Sequence, residues 1–65
     1  MSTRTKLALA NIAYGQLVTA RASGSYMDII TAYDAWRATL SLLTRGEQDI
    51  HLVHMARVDN GTERA

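Results

Sequence analysis

The chain of 65 residues contains no cysteine and no proline, and each absence excludes a class of structure. Without cysteine, neither disulfide bonds nor thiolate zinc sites can stabilise the fold. Without proline, the strongest helix breaker is missing. A chain of this mass buries only about 60% of its surface on folding, leaving roughly 4,000 Å² exposed. Association with another chain is therefore the remaining route to a larger core.

The sequence also lacks a strong excess of charge and a long hydrophobic run. The net charge of +1 gives no general attraction to nucleic acid or membranes. The longest uncharged stretch, residues 7–20, is shorter than the roughly 20 apolar residues of a membrane span. Arginine far outnumbers lysine, which is typical of a GC-rich coding genome such as that of a bacterium or its phage. We predict a soluble cytoplasmic protein with one domain over residues 1–65, frayed at residues 1–4 and 60–65.

Residues 5–22 are rich in alanine and leucine and predict a first helix. One face carries Leu7, Ala10, Tyr14, Leu17 and Val18, while further apolar residues spread around the rest. The wettable positions are Asn11, Gly15, Gln16 and Thr19. A helix that is apolar nearly all round is normally buried all round. The pattern therefore predicts that a second chain covers this helix.

A second helix is predicted from Tyr26 to about Thr44. Gly24 suits the left-handed position after the first helix, and Ser25 with Asp28 forms an S-x-x-D capping box. Apolar residues then recur at helical spacings and form one stripe on this helix: Ile29, Ala32, Tyr33, Trp36, Leu40 and Leu43.

Three structures are open after Leu43. We favour a third helix over residues 47–58, started by the Thr44/Glu47 capping box or by a turn at Gly46. One long helix could also continue through Gly46, since the apolar phase is unbroken. The β-branched residues within 50–55 leave a strand as the third alternative. The fold class is thus all-α, a two- or three-helix antiparallel hairpin that dimerises into a helical bundle.

Glu47, His51 and His54 share a helix face and are weak candidates for zinc or nickel ligands. Only three ligands are available and the pattern is not H-E-x-x-H, so we predict no metal and no cofactor. A solvated or interfacial histidine pair is the favoured interpretation. If the two histidines met a second copy, their protonation would couple assembly to pH.

No pattern indicates catalysis. The serines lie at turns or on polar faces without a positioned base, and the glycines are too isolated for a phosphate loop. We therefore predict a protein that is not an enzyme.

The leading hypothesis is a small helical interaction module, a regulator, adaptor or inhibitor, which binds a larger protein and also itself. The predicted partner-binding residues are Tyr33, Trp36, Leu40, Leu52 and Met55. The alternative is a dimeric nucleic-acid-binding transcriptional regulator. It would use a basic arm and an arginine-lined helix face formed by Arg4, Lys6, Arg37, Arg45 and Arg57. The mostly apolar residues 50–58 are unlike a recognition helix.

Overall fold

A computed structural model describes residues 1–61, which form three helices and no strand. Helix α1 spans Thr3–Ser23, α2 spans Tyr26–Leu40 and α3 spans Arg45–Asp59. The prediction of an all-helical chain is confirmed, in its three-helix form. Predicted fraying at residues 62–65 lies outside the described residues, and fraying at residues 1–4 stays a prediction.

A hydroxyl side chain caps the start of every helix. Ser2, Ser25 and Thr44 accept the backbone N–H of the residue three positions later. At Thr44 the capping box is reciprocal, because Oε1 of Glu47 also accepts the backbone N–H of Thr44 at 2.8 Å. The predicted cap positions Ser25 and Thr44 are confirmed. Helix α1 begins two residues before its predicted start because Ser2 caps it.

The helix ends explain where the predicted boundaries were wrong. Gly24 has the expected left-handed backbone, with φ of 73°. Helix α2, however, ends at Leu40 instead of Thr44, because tight backbone hydrogen bonds turn the chain after Leu40. This turn buries Leu43 and places Thr44 at the start of α3. One continuous helix through Gly46 and a strand over residues 50–55 are therefore both wrong.

Helix α1 is the central helix and packs against both α2 and α3. Its buried residues are Ala10, Ala13, Tyr14, Gly15, Leu17 and Ala20. Helices α2 and α3 of the same chain cover much of α1, and coverage of the rest by a second chain stays a prediction. Coverage stops short of Ile12, which is 61% exposed.

Polar side chains join α1 to α3 along their length. Nζ of Lys6 lies 2.8 Å from Oε1 of Glu47, and the Tyr14 hydroxyl donates to Oδ1 of Asp59 at 2.6 Å. Between these contacts, Oδ1 of Asn11 lies 2.7 Å from Nδ1 of His51. The residue numbers rise together on both helices, so α1 and α3 run parallel.

Helix α2 keeps no residue fully buried. Its apolar stripe is half-buried at Ile29, Ala32, Trp36 and Leu40, and a separate apolar row is exposed at Tyr26, Met27, Ile30 and Tyr33. The total accessible surface is 4534 Å², above the roughly 4,000 Å² expected for this mass. Within residues 1–61, no helix is both long and apolar enough to cross a membrane.

Candidate partner-binding groove

A small apolar groove lies between the second half of α2 and the facing side of α3. Its volume is about 120 Å³, and we call it the partner groove. The residues that line it are Trp36, Leu40, Gln48, His51, Leu52 and Met55. Four of the five predicted partner-binding residues thus converge, and the fifth, Tyr33, stands beside Trp36 with ring centroids 5.8 Å apart.

Helical spacing explains this convergence. Trp36 and Leu40 are four residues apart and share one side of α2. On α3, Gln48, Leu52 and Met55 are separated by four and three residues and form the opposite wall. Leu52 is 56% exposed at the rim, whereas Trp36, Leu40 and Met55 are half-buried. The groove therefore offers apolar surface that remains accessible from solvent.

His51 forms the buried end of the partner groove and is only 1% exposed. Nε1 of Trp36 donates a hydrogen bond to Nε2 of His51 at 3.0 Å. Indole nitrogen only donates, so Nε2 must be unprotonated and the ring hydrogen must lie on Nδ1. Nδ1 then donates to Oδ1 of Asn11. Both ring nitrogens are satisfied in the neutral form alone.

The surroundings of His51 favour this neutral form. Burial lowers the pKa of His51 below 6.5, and the nearby charge of His54 lowers it further. The two imidazole rings are stacked with centroids 6.3 Å apart. The ring edge also meets Tyr14 of α1, whose own pKa is raised by burial and by its bond to Asp59. Protonation of His51 would place an N–H against the Trp36 N–H.

The hydrogen bonds of Gln48 and Asn11 were not predicted from the sequence. Gln48 donates to the backbone carbonyls of Leu40 and Leu43, which ties the end of α2 to α3. Asn11, a predicted wettable position, is half-buried and forms a hydrogen bond with His51. The available signal was an amide on an otherwise apolar helix. Its partner could not be identified, because His51 is 40 residues away in the chain.

Glu47, His51 and His54 do not converge as a metal-ligand set. Glu47 binds Lys6 and the backbone of Thr44, and both nitrogens of His51 are occupied within the chain. The Lys6 hydrogen bond, with help from Thr3 and Thr44, lowers the pKa of Glu47 to about 2. No group of three potential ligands lies together anywhere in residues 1–61. The interpretation of His51 as a solvated or interfacial group is also corrected, since it is buried inside the chain.

The five residues of the nucleic-acid hypothesis are distributed over all three helices. Lys6 is paired with Glu47, and Arg37 lies over the Tyr33 ring at 5.9 Å from its centroid. Arg45 begins α3 while Arg57 lies in its last turn, so about 18 Å of helix separates them. Arg4 belongs to the start of α1, near the Arg45 end of the parallel α3.

Comparison with known proteins identifies no relative: no protein-family model, no curated protein and no solved structure matches this chain. The partner groove is therefore interpreted from its own geometry.

Proposed function

We propose that this chain is a non-catalytic interaction module, an adaptor or inhibitor in the cytoplasm, which binds a larger protein through the partner groove. The groove would receive one apolar side chain from a partner helix, with Trp36 and Leu40 on one wall and Leu52 and Met55 on the other. The chain would act as a homodimer, which doubles the number of binding sites.

The single observation that carries this proposal is the convergence of four apolar side chains from two helices around an accessible opening. Binding energy in protein interfaces concentrates in a few anchors, and tryptophan is the residue most enriched among them. Trp36 is held in position by its hydrogen bond to His51, so little conformational entropy remains to be lost on binding.

Site-specific photo-crosslinking tests the proposal. A photoreactive amino acid would replace Leu52 in one variant of the chain and Ile50 in a second variant. Each variant would be irradiated in lysate of the native host. The two side chains are equally exposed at 56%, but only Leu52 lines the groove. We expect one protein to crosslink from position 52 and not from position 50. Equal crosslinking from both positions, or none from either, contradicts the proposal.

A point substitution provides the second arm. Leu52→Glu should weaken capture of the crosslinked protein by at least about tenfold, because a charge enters the apolar contact. Ile50→Glu is the matched control and should leave capture unchanged. Apolar docking should also persist between about 50 and 200 mM salt, whereas phosphate contacts would weaken steeply over that range.

A further inference from the structure

One hydrogen bond connects a wall of the partner groove to its buried end. Nε1 of Trp36 donates to Nε2 of His51 at 3.0 Å, and both side chains line the groove. The indole has no other polar atom, so its remaining contacts are with rings such as those of Tyr14 and Tyr33. Trp36 is half-buried, so its ring has a path toward solvent if this bond is lost.

A protonated imidazole has no acceptor for the Trp36 bond. Both nitrogens of an imidazolium are donors, so Nε2–H would point at the indole N–H across 3.0 Å. Turning the ring over places a carbon where Nε2 stood, which supplies no acceptor either. The bond from Nδ1 to Asn11 already uses an N–H and can persist. Protonation therefore breaks the contact of His51 with α2 and leaves its contact with α1.

The groups that face His51 do not favour a charged ring. Asn11 and Tyr14 of α1 contact it through an amide oxygen and a neutral phenol ring, and α2 contributes the uncharged Trp36. On α3, His54 stacks on the ring, and its positive charge opposes a second one.

The acids beside these groups already have partners. Glu47, one turn before His51 on α3, is bound to Lys6 at 2.8 Å. Asp59 accepts the Tyr14 hydroxyl at 2.6 Å. A proton on His51 is therefore set mainly against the Trp36 bond, burial and the charge of His54.

We propose that His51 is a proton switch for the partner groove: protonation releases Trp36 from the groove wall, and the groove then loses its partner. This inference rests on the proposed function, because it regulates the same site. Partner and proton should oppose each other reciprocally, since the groove binds the state in which Trp36 is held. Burial and the charge of His54 lower the pKa of His51, so the groove is intact near neutrality and opens only below pH 6.5.

Acrylamide quenching of fluorescence tests the switch in the full chain, because Trp36 is its only tryptophan. Between about pH 7.5 and 5, the quenching constant should rise at least about twofold while circular dichroism shows retained helices. His51→Gln and His54→Gln are a matched pair on α3, and only His51 bonds to Trp36. The rise should be absent in His51→Gln, whose amide does not titrate, and present in His54→Gln.

A wild-type quenching constant that does not change with pH would overturn the switch, as would an equal rise in His51→Gln. A rise that accompanies loss of the helical signal would also overturn it, because unfolding would then expose Trp36. If His51→Gln does not fold, Asn11→Asp replaces it. Its carboxylate beside Nδ1–H should move the quenching midpoint to higher pH, and an unchanged midpoint would refute the inference.

Photo-crosslinking from position 52 at about pH 7.5 and 5.5 separates the switch from the proposed function. The crosslinked protein should decrease at least about tenfold at the lower pH, and this dependence should disappear when the chain also carries His51→Gln. The partner's own groups titrate equally in both experiments. Equal crosslinking at the two pH values would contradict the switch alone. Absence of crosslinking at both, with the Trp36 quenching rise intact, would contradict the proposed function.

Discussion

At the scale of single residues, His51 makes two hydrogen bonds that only one tautomer of its ring can satisfy. The ring accepts a hydrogen bond from Trp36 and donates one to Asn11, so it connects all three helices in one defined tautomer. Buried polar groups of this kind stabilise a fold only while every partner is in place. Changes of protonation or partner at this position should therefore affect the whole chain.

The free energy of unfolding should fall as the pH falls below 6.5. The unfolded chain binds a proton on His51 near pH 6.5, whereas the folded chain resists it because burial and the charge of His54 lower the pKa. Stability from this residue is complete above pH 6.5 and is lost as the pH drops toward the lower folded-state pKa. Tyr14 of α1, Trp36 of α2 and His54 of α3 face the ring.

Urea unfolding in unit steps from about pH 7.5 to 4.5 measures this effect. His51→Gln should be less stable at the upper end and should show a flatter pH dependence. An unchanged slope in His51→Gln would assign the effect to another group. Glu47 acts in a lower window, since its pKa of about 2 removes its contribution only as the pH falls below 4.5.

Replacing Asn11 tests the hydrogen bond that Nδ1 of His51 makes. Asn11→Leu removes the acceptor for the buried Nδ1–H of His51 and should cost about 1 to 3 kcal/mol of unfolding free energy. Asn11→Asp is the matched control, because it keeps an acceptor oxygen. Its carboxylate should also favour the protonated ring, so the pH midpoint of the stability curve should move upward. Equal stabilities for the two variants would contradict the assigned tautomer.

At the scale of helices, short-range signals in the sequence predicted more than long-range ones. Ser25, Thr44 and Gly24 marked helix ends correctly, because a cap depends on atoms within three or four residues. The end of α2 was missed because the apolar phase continues through Leu43 although the backbone turns. The pairing of Asn11 with His51 was also beyond prediction, since no local pattern specifies which faces of α1 and α3 meet.

Two glycines should respond to alanine with opposite signs. Gly24 and Gly46 both have open space where a Cβ would stand, so only backbone conformation differs. Gly24→Ala forces a left-handed backbone on a residue that disfavours it, and should cost about 1 kcal/mol. Gly46→Ala lies within α3 and should stabilise the protein by about 0.5 to 1 kcal/mol. Thermal unfolding followed by circular dichroism measures both, and a shift of the same sign would contradict the assigned backbone conformations.

At the scale of the whole molecule, the proposed homodimer should link stability to protein concentration. If two copies associate as proposed, the melting temperature should rise by roughly 3 to 6 °C for each tenfold increase in protein concentration. Differential scanning calorimetry over two decades of concentration measures this dependence, and a melting temperature that does not change with concentration would contradict the homodimer.

The central place of α1 also determines how the folded chain can open. Helices α2 and α3 each pack more extensively on α1 than on each other, so we expect that either one can detach from α1 while the other stays in place. Hydrogen–deuterium exchange should therefore be slowest for the backbone amides around Ala13 and Leu17. These amides lose their protection only when both α2 and α3 have detached from α1. Below neutrality, the amides of α3 should exchange first and leave a transient two-helix remnant.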